Sequence, residues 1–196
     1  MLEVIDNTIH CIMTEAHPKA YLCLDFQRTF RLTNTEMCLP PGMGKYPISV
    51  LGPSELLIPM YQSEALWINI GTVPYPFALK VTYMGTSSIT CVKMQPWIDI
   101  CDKQQFVAPS LNGDPSFDYG FALEIFPMKA DVFEHSPDET SRDVWDENHK
   151  QRIYVHLVNS SMWCGAGNEM LTVPLTDREY LRHGYPWLQK YEENTP

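Results

Sequence analysis

None of the six cysteines, Cys11, Cys23, Cys38, Cys91, Cys101 and Cys164, belongs to a C-x-x-C pair. Tetrahedral structural zinc draws its ligands from such closely spaced pairs, so none is expected here. The six histidines, His10, His17, His135, His149, His156 and His183, form neither H-x-H nor H-E-x-x-H. A metal centre would have to be gathered from distant strands, and no metal or other cofactor is assigned. An Asp-x-Asn-x-Asn-Gly loop is also missing, which excludes an EF-hand. Long apolar runs are lacking, so no helical membrane span is expected. The first 16 residues hold Glu3, Asp6 and Glu15 but no lysine or arginine, the reverse of a secretory leader. The expectation is a cytoplasmic protein with reduced thiols.

Positive charge is scarce. Fourteen Lys and Arg stand against 24 Asp and Glu, a formal charge of −10, and a field of that sign repels phosphate backbones. Nucleic acid is thus excluded as a general partner. Up to Ile98 there are 6 basic and 7 acidic residues, net −1; beyond it there are 8 and 17, net −9. The densest acidic stretch runs from Asp131 to His149 and reads as a solvated face.

What remains suits a folded domain. In 196 residues, 44% are apolar, 12% aromatic and only 19% charged, too apolar for a disordered chain and long enough for a core without staples. Residues 21–196 are read as one mostly-β domain, its acidic part spanning 131–196, with residues 1–20 as an N-terminal extension or edge strand.

The clearest periodicity lies between Tyr21 and Leu32. Leu22, Leu24, Phe26, Phe30 and Leu32 alternate with polar residues, and Arg28 alone breaks the apolar face, which describes a half-buried strand. Leu39-Pro40-Pro41-Gly42-Met43-Gly44 is loop chemistry. Glu64–Ile70 and Phe77–Tyr83 read as strands, and the intervening Gly71-Thr72-Val73-Pro74-Tyr75-Pro76 suits an antiparallel hairpin. That register would set Trp67 opposite Lys80, with the ammonium over the indole. Further strands are expected at Ile89–Lys93, Gln105–Ala108, Phe121–Phe126 and Arg152–Val158. Together these predict a mainly β fold, an antiparallel sandwich or barrel, with one or two short helices near the C-terminus. The firmer helix starts at the Thr176-Asp177-Arg178-Glu179 capping box and stops before Gly184. A second is expected over Ser141–His149, capped by Thr140.

Partial motifs fail on inspection. Gly42-Met43-Gly44-Lys45 continues into Tyr46-Pro47 and so is no phosphate loop. Gly85-Thr86-Ser87-Ser88 lacks the G-x-S-x-G elbow and reads as a β-turn. Ser160–Gly167, read as an exposed turn, is the best place for a nucleophile, since Cys164 follows His156 by eight residues. Asp114, Asp118 and Glu124 offer carboxylates for acid–base work, although Asn112-Gly113-Asp114-Pro115 reads more simply as a turn. Lys80 interrupts a strand suited to burial and must reach water or meet Glu64, Asp99 or an anionic ligand.

Several runs together resemble a family of uncharacterised bacterial proteins. They are Leu39–Gly44 (LPPGMG), Pro59–Trp67 (PMYQSEALW), Pro76–Val81 (PFALKV), Gln95–Asp99 (QPWID), Gln105–Ala108 (QFVA) and Gly184–Trp187 (GYPW). The resemblance covers about Leu22 to Tyr191 and implies one continuous unit, but no activity. Two departures stand out: a glycine-rich segment after QFVA is shortened here around Asn112–Gly120, and the family has no cysteine at Cys164.

No complete catalytic spacing emerges, so no catalytic residue is assigned. The leading expectation is a non-catalytic β domain that binds a small molecule or a protein, and the sequence specifies no oligomeric state. Its site is placed at Gln62, Glu64, Trp67, Lys80, Trp97, Asp99 and Gln105, polar groups on strands that should be buried and therefore need partners. The rival is a hydrolase-like or metal-dependent enzyme drawing on His156, Cys164, Asp118 and Glu124.

Overall fold

In the computed structural model the apolar face of Tyr21–Phe30 turns inward as its alternation requires: Leu22, Leu24, Phe26 and Phe30 are fully buried. The structure describes residues 1–32, 40–71, 74–83, 86–91, 97–98, 105–108, 119–136, 141–169 and 173–187, with backbone alone for 86–91 and 97–98. Among these the strands are β1 (Leu2–Ile5), β2 (Thr8–Ile12), β3 (Tyr21–Phe30), β4 (Ser49–Gly52), β5 (Glu55–Pro59), β6 (Glu64–Ile70), β7 (Phe77–Tyr83), β8 (Thr86–Cys91), β9 (Trp97–Ile98), β10 (Phe121–Pro127) and β11 (Gln151–Val158). The helices are α1 (Ala130–His135), α2 (Ser160–Gly165) and α3 (Asp177–Arg182), with a single 3-10 turn at Arg142–Val144.

Two sheets result, in the orders β1-β2-β3-β6-β9 and β4-β5-β11-β10-β7-β8. Neighbours are antiparallel except β5 and β11, which run parallel. The sheets share one apolar core, with Phe26 of the first edge-on to Phe121 of the second at 5.8 Å between ring centres. A mainly β fold with short helices, as expected, is what the chain adopts. Among the described residues no helix is long and apolar enough to cross a membrane.

The expected β6–β7 hairpin does not form. β6 lies between β3 and β9, while β7 lies between β10 and β8 in the other sheet, so the segment after Ile70 crosses between layers and Trp67 is not opposite Lys80. Turn-rich residues permit either connection, and the crossing buries Tyr75, whose hydroxyl donates to the Met128 carbonyl at 2.7 Å. Residues 2–12 form a hairpin that places β1 at a sheet edge. Its turn uses the left-handed conformations of Asp6 (φ 49°) and Asn7 (φ 56°), which Asp and Asn tolerate best after glycine.

Other local expectations divide. The capping box is present: the Thr176 amide donates to Glu179 Oε2 at 2.8 Å, and Gly184 follows α3 at φ 75°. In place of a helix over Ser141–His149 there is only the 3-10 turn. Asp146 Oδ1 accepts from the Asn148 and His149 amides, a local turn that competes with helical bonding. Thr86–Ser88 begins β8 instead of forming a turn, because its backbone pairs with Tyr83–Val81. Ser160–Gly165 is helix α2, its first turn capped by Asn159 Oδ1 accepting from the Met162 amide at 3.0 Å.

Candidate functional site

Alternation along β3 sends Arg28 to the same inward face as Phe26 and Phe30, and alternation along β6 does the same for Glu64. The break in the apolar pattern at Arg28 is thereby explained: its Nε donates to Glu64 Oε1 at 2.7 Å, and Nη2 donates to the same oxygen. Glu64 is 1% exposed and the Arg28 side chain 13%. Burial alone would draw the guanidinium below its ordinary pKa. The charge and hydrogen bonds of Glu64 outweigh that and hold it above. Tyr46 donates its hydroxyl to Glu64 Oε2 at 3.0 Å. Burial, reinforced by the adjacent carboxylate, pushes that phenol well above its ordinary range, so it stays a neutral donor.

The C-terminal segment completes this network. The Leu175 amide donates to Glu64 Oε1 at 3.1 Å, and Arg28 Nη2 donates to the Val173 carbonyl at 2.6 Å. Tyr180 on α3 accepts from the Arg31 amide at 2.7 Å and donates to the Ser63 carbonyl at 2.5 Å. Its ring meets Phe30 edge-on at 4.8 Å. Residues 173–185 are thus strapped across the ends of β3 and β6.

Beside the ion pair opens a cavity of about 480 Å³, within the range of small-molecule sites. Arg28, Glu64 and Tyr46 form its floor, Lys45 one wall, and Trp163 and Asn168 the side facing α2. Lys45 Nζ donates to Thr8 Oγ1 at 2.7 Å and lies 3.6 Å from Asp25 Oδ2, with 41% of its side chain exposed. Trp163 is fixed by donation from Nε1 to the Glu169 carbonyl at 2.7 Å. Gly44 allows the wall to form: its φ of 107° suits glycine, and its carbonyl accepts from the Arg28 amide at 2.8 Å.

The seven residues singled out from the sequence are dispersed. Glu64 lies on the cavity floor. Gln62 is buried nearby, its carbonyl accepting from Arg31 Nη1 at 3.1 Å. Gln105 secures the end of β3, accepting from the Leu32 amide at 2.6 Å and donating to the Phe30 carbonyl at 2.9 Å. Trp67 lies on the opposite face of β6 under Gly42, where an added Cβ would come within 3.3 Å of the indole. Among the described residues its buried Nε1 has no acceptor. Lys80 belongs to the other sheet and pairs with Glu124 at 3.0 Å, not with Glu64. The backbone of Trp97 pairs with Asn69, while Asp99 lies outside the described residues.

Of the four residues of the enzyme reading, Asp118 also lies outside the described residues. Glu124 is held below the usual carboxylate range chiefly by its hydrogen bond to Lys80. Cys164 packs against the apolar cluster of Leu57, Val158 and Trp163, and His156 stacks edge-on with Tyr154. Among the described residues no three His, Cys, Asp or Glu side chains gather as a metal site. Sequence reasoning missed Tyr46, Lys45 and Asn168. Arg28, left out of the expected site, did carry a signal, as the sole interruption of a regular strand. Compared with models of protein families, with curated proteins and with solved structures, the chain matches none.

Proposed function

We propose that the protein is a cytoplasmic, non-catalytic binding domain whose ligand is a small polar molecule held in the Arg28–Glu64 cavity. One observation carries the reading: two inward positions of a β-sandwich hold an ion pair where apolar side chains would pack. A buried pair contributes little to stability relative to well-packed hydrophobic residues. Its position on the floor of a cavity of ligand size favours a role facing the ligand. Lys45 and Asn168 offer donors to a carboxylate, phosphate or hydroxyl-rich group, while Met43 and Trp163 supply apolar surface. The cytoplasmic assignment is supported by Cys11, Cys23 and Cys164, which form no disulfide among the described residues.

A thermal-shift panel of dicarboxylates, phosphates, nucleotides and sugars tests this. A ligand at 100 times its Kd stabilises the native state by about 2.7 kcal/mol, or roughly 5–10 °C in a chain of this size. We expect such a shift from at least one class, and its loss in Lys45→Ala and Asn168→Ala. A panel without a shift, or a shift that survives both substitutions, refutes the site.

A further inference from the structure

Away from the cavity, the strand register sets Glu3, His10 and Cys23 in one row across β1, β2 and β3. The row continues to Gly71, whose amide donates to the Cys23 carbonyl at 2.9 Å. Tyr21, two residues before Cys23, reaches into the row. The Cys23 thiol donates to Tyr21 Oη at 2.7 Å, and Tyr21 Oη lies 2.5 Å from His10 Nδ1. A neutral His10 carrying its proton on Nε2 accepts the phenol O–H at Nδ1, which would continue the chain that starts at the thiol. Cys23 Sγ is itself 3.4 Å from that nitrogen. The thiol, the phenol and the imidazole thus form one hydrogen-bonded cluster on the outer face of the sheet. None of its three members belongs to the shared core.

One feature leaves the thiol open to an incoming molecule. Cys23 has a glycine as its neighbour on the β6 side. A Cβ at Gly71 would lie 3.3 Å from Cys23 Cβ, so glycine leaves that flank of the thiol clear.

We propose that Cys23 is a redox modification site, oxidised to a sulfenic acid by hydroperoxides through the Tyr21–His10 relay. The sulfur attacks the distal oxygen of the hydroperoxide; the S–O bond forms as the O–O bond breaks. The thiol proton moves to Tyr21 Oη while the phenol proton moves to His10 Nδ1. His10 then supplies a proton to the departing alkoxide or hydroxide, giving alcohol or water. Sulfur loses two electrons, and the peroxide gains them.

The test treats the native full chain with hydrogen peroxide, traps sulfenic acid with dimedone and quantifies each cysteine by peptide mass spectrometry. Cys11, fully buried and pushed up to about 12 mainly by burial, is the inert internal reference. Cys164, packed against Leu57, Val158 and Trp163, is the partly buried reference thiol outside this row. We expect Cys23 to be trapped about tenfold faster than Cys164, and His10→Gln and Tyr21→Phe each to slow it about fivefold or more. Gly71→Ala should slow it too, by obstruction, with the relay intact. In guanidinium the cysteines should react alike, which separates the relay from local sequence effects, and a melting scan of each variant establishes that it is folded. Cys23 trapped no faster than Cys164, or at an unchanged rate in both relay variants, overturns the proposal.

Discussion

Replacing Glu64 with Gln tests the centre of the network directly. The carboxylate accepts two bonds from Arg28, one from Tyr46 and one from the Leu175 amide. Glutamine keeps the volume and one acceptor oxygen but turns an NH₂ toward donors and takes from the Arg28 guanidinium its paired carboxylate. Removing one partner of a buried pair costs about 3–5 kcal/mol, most of it the burial of the orphaned charge. Arg28 retains 13% exposure and its bond to the Val173 carbonyl, so the lower end, about 3 kcal/mol, is expected. That lowers the melting temperature by roughly 6–12 °C for a domain of this length. The assay is urea unfolding followed by tryptophan fluorescence, since α3 and its strap pack Tyr180 against Trp187. The double variant Arg28→Met with Glu64→Leu should regain part of the loss, because an apolar pair removes the stranded charge. A single Glu64→Gln variant within about 0.5 kcal/mol of the parent, the range of an ordinary surface change, refutes the buried-pair reasoning.

Further outcomes follow from the same geometry. Tyr180→Phe keeps the ring against Phe30 but strands the Arg31 amide, and should cost about 1–3 kcal/mol in chemical unfolding; a neutral result would mean that water replaces the hydroxyl. Glu179→Ala removes half of the capping box and should cost about 0.5–2 kcal/mol, with amide exchange accelerated at Thr176 first. Stability should fall on acidification. In the folded chain Glu124 is held below its ordinary pKa by its hydrogen bond to Lys80. Asp146 is too, its bonds from His149 and the Asn148 amide outweighing burial. The unfolded chain then binds protons more readily than the folded one. The contribution is full above about pH 4.3 and is lost as pH falls through the lowered folded values. Glu124→Gln should flatten that acid limb in a pH series of unfolding midpoints, and an unchanged limb would count against the pairing.

The sequence made the elements legible where a local period speaks for itself. β3 could be read from alternation, α3 from a capping signature, and β10 and β11 as short runs set off by Pro- or Gly-bearing connections, since each depends on neighbours a few residues apart. Pairing is another matter. Arg28 and Glu64 each stood out alone, but only the β3–β6 register, which joins residues far apart in the chain, makes them partners. The crossing after Ile70 was misread because Gly71–Pro76 specifies a change of direction without naming the next sheet. Helix α1 was overlooked within a stretch of acids, where charge masked a short helix that buries none of its own residues. The cavity wall from Met43 to Pro47 had no signal beyond its glycine, for an extended loop acquires a function only from what it faces.

The parallel alignment of β5 with β11 also has a temporal meaning. During synthesis, the ribosome releases β5 long before the strand that must sit between it and β10 exists, since Leu56 pairs with Val155 and Leu57 with His156. Until then β5 offers a bare apolar edge to anything nearby, the condition in which nascent β chains engage chaperones or each other. Closure of the larger sheet is therefore deferred until Gln151–Val158 has been made, and a chain cut short before Gln151 would carry an interior slot between β5 and β10.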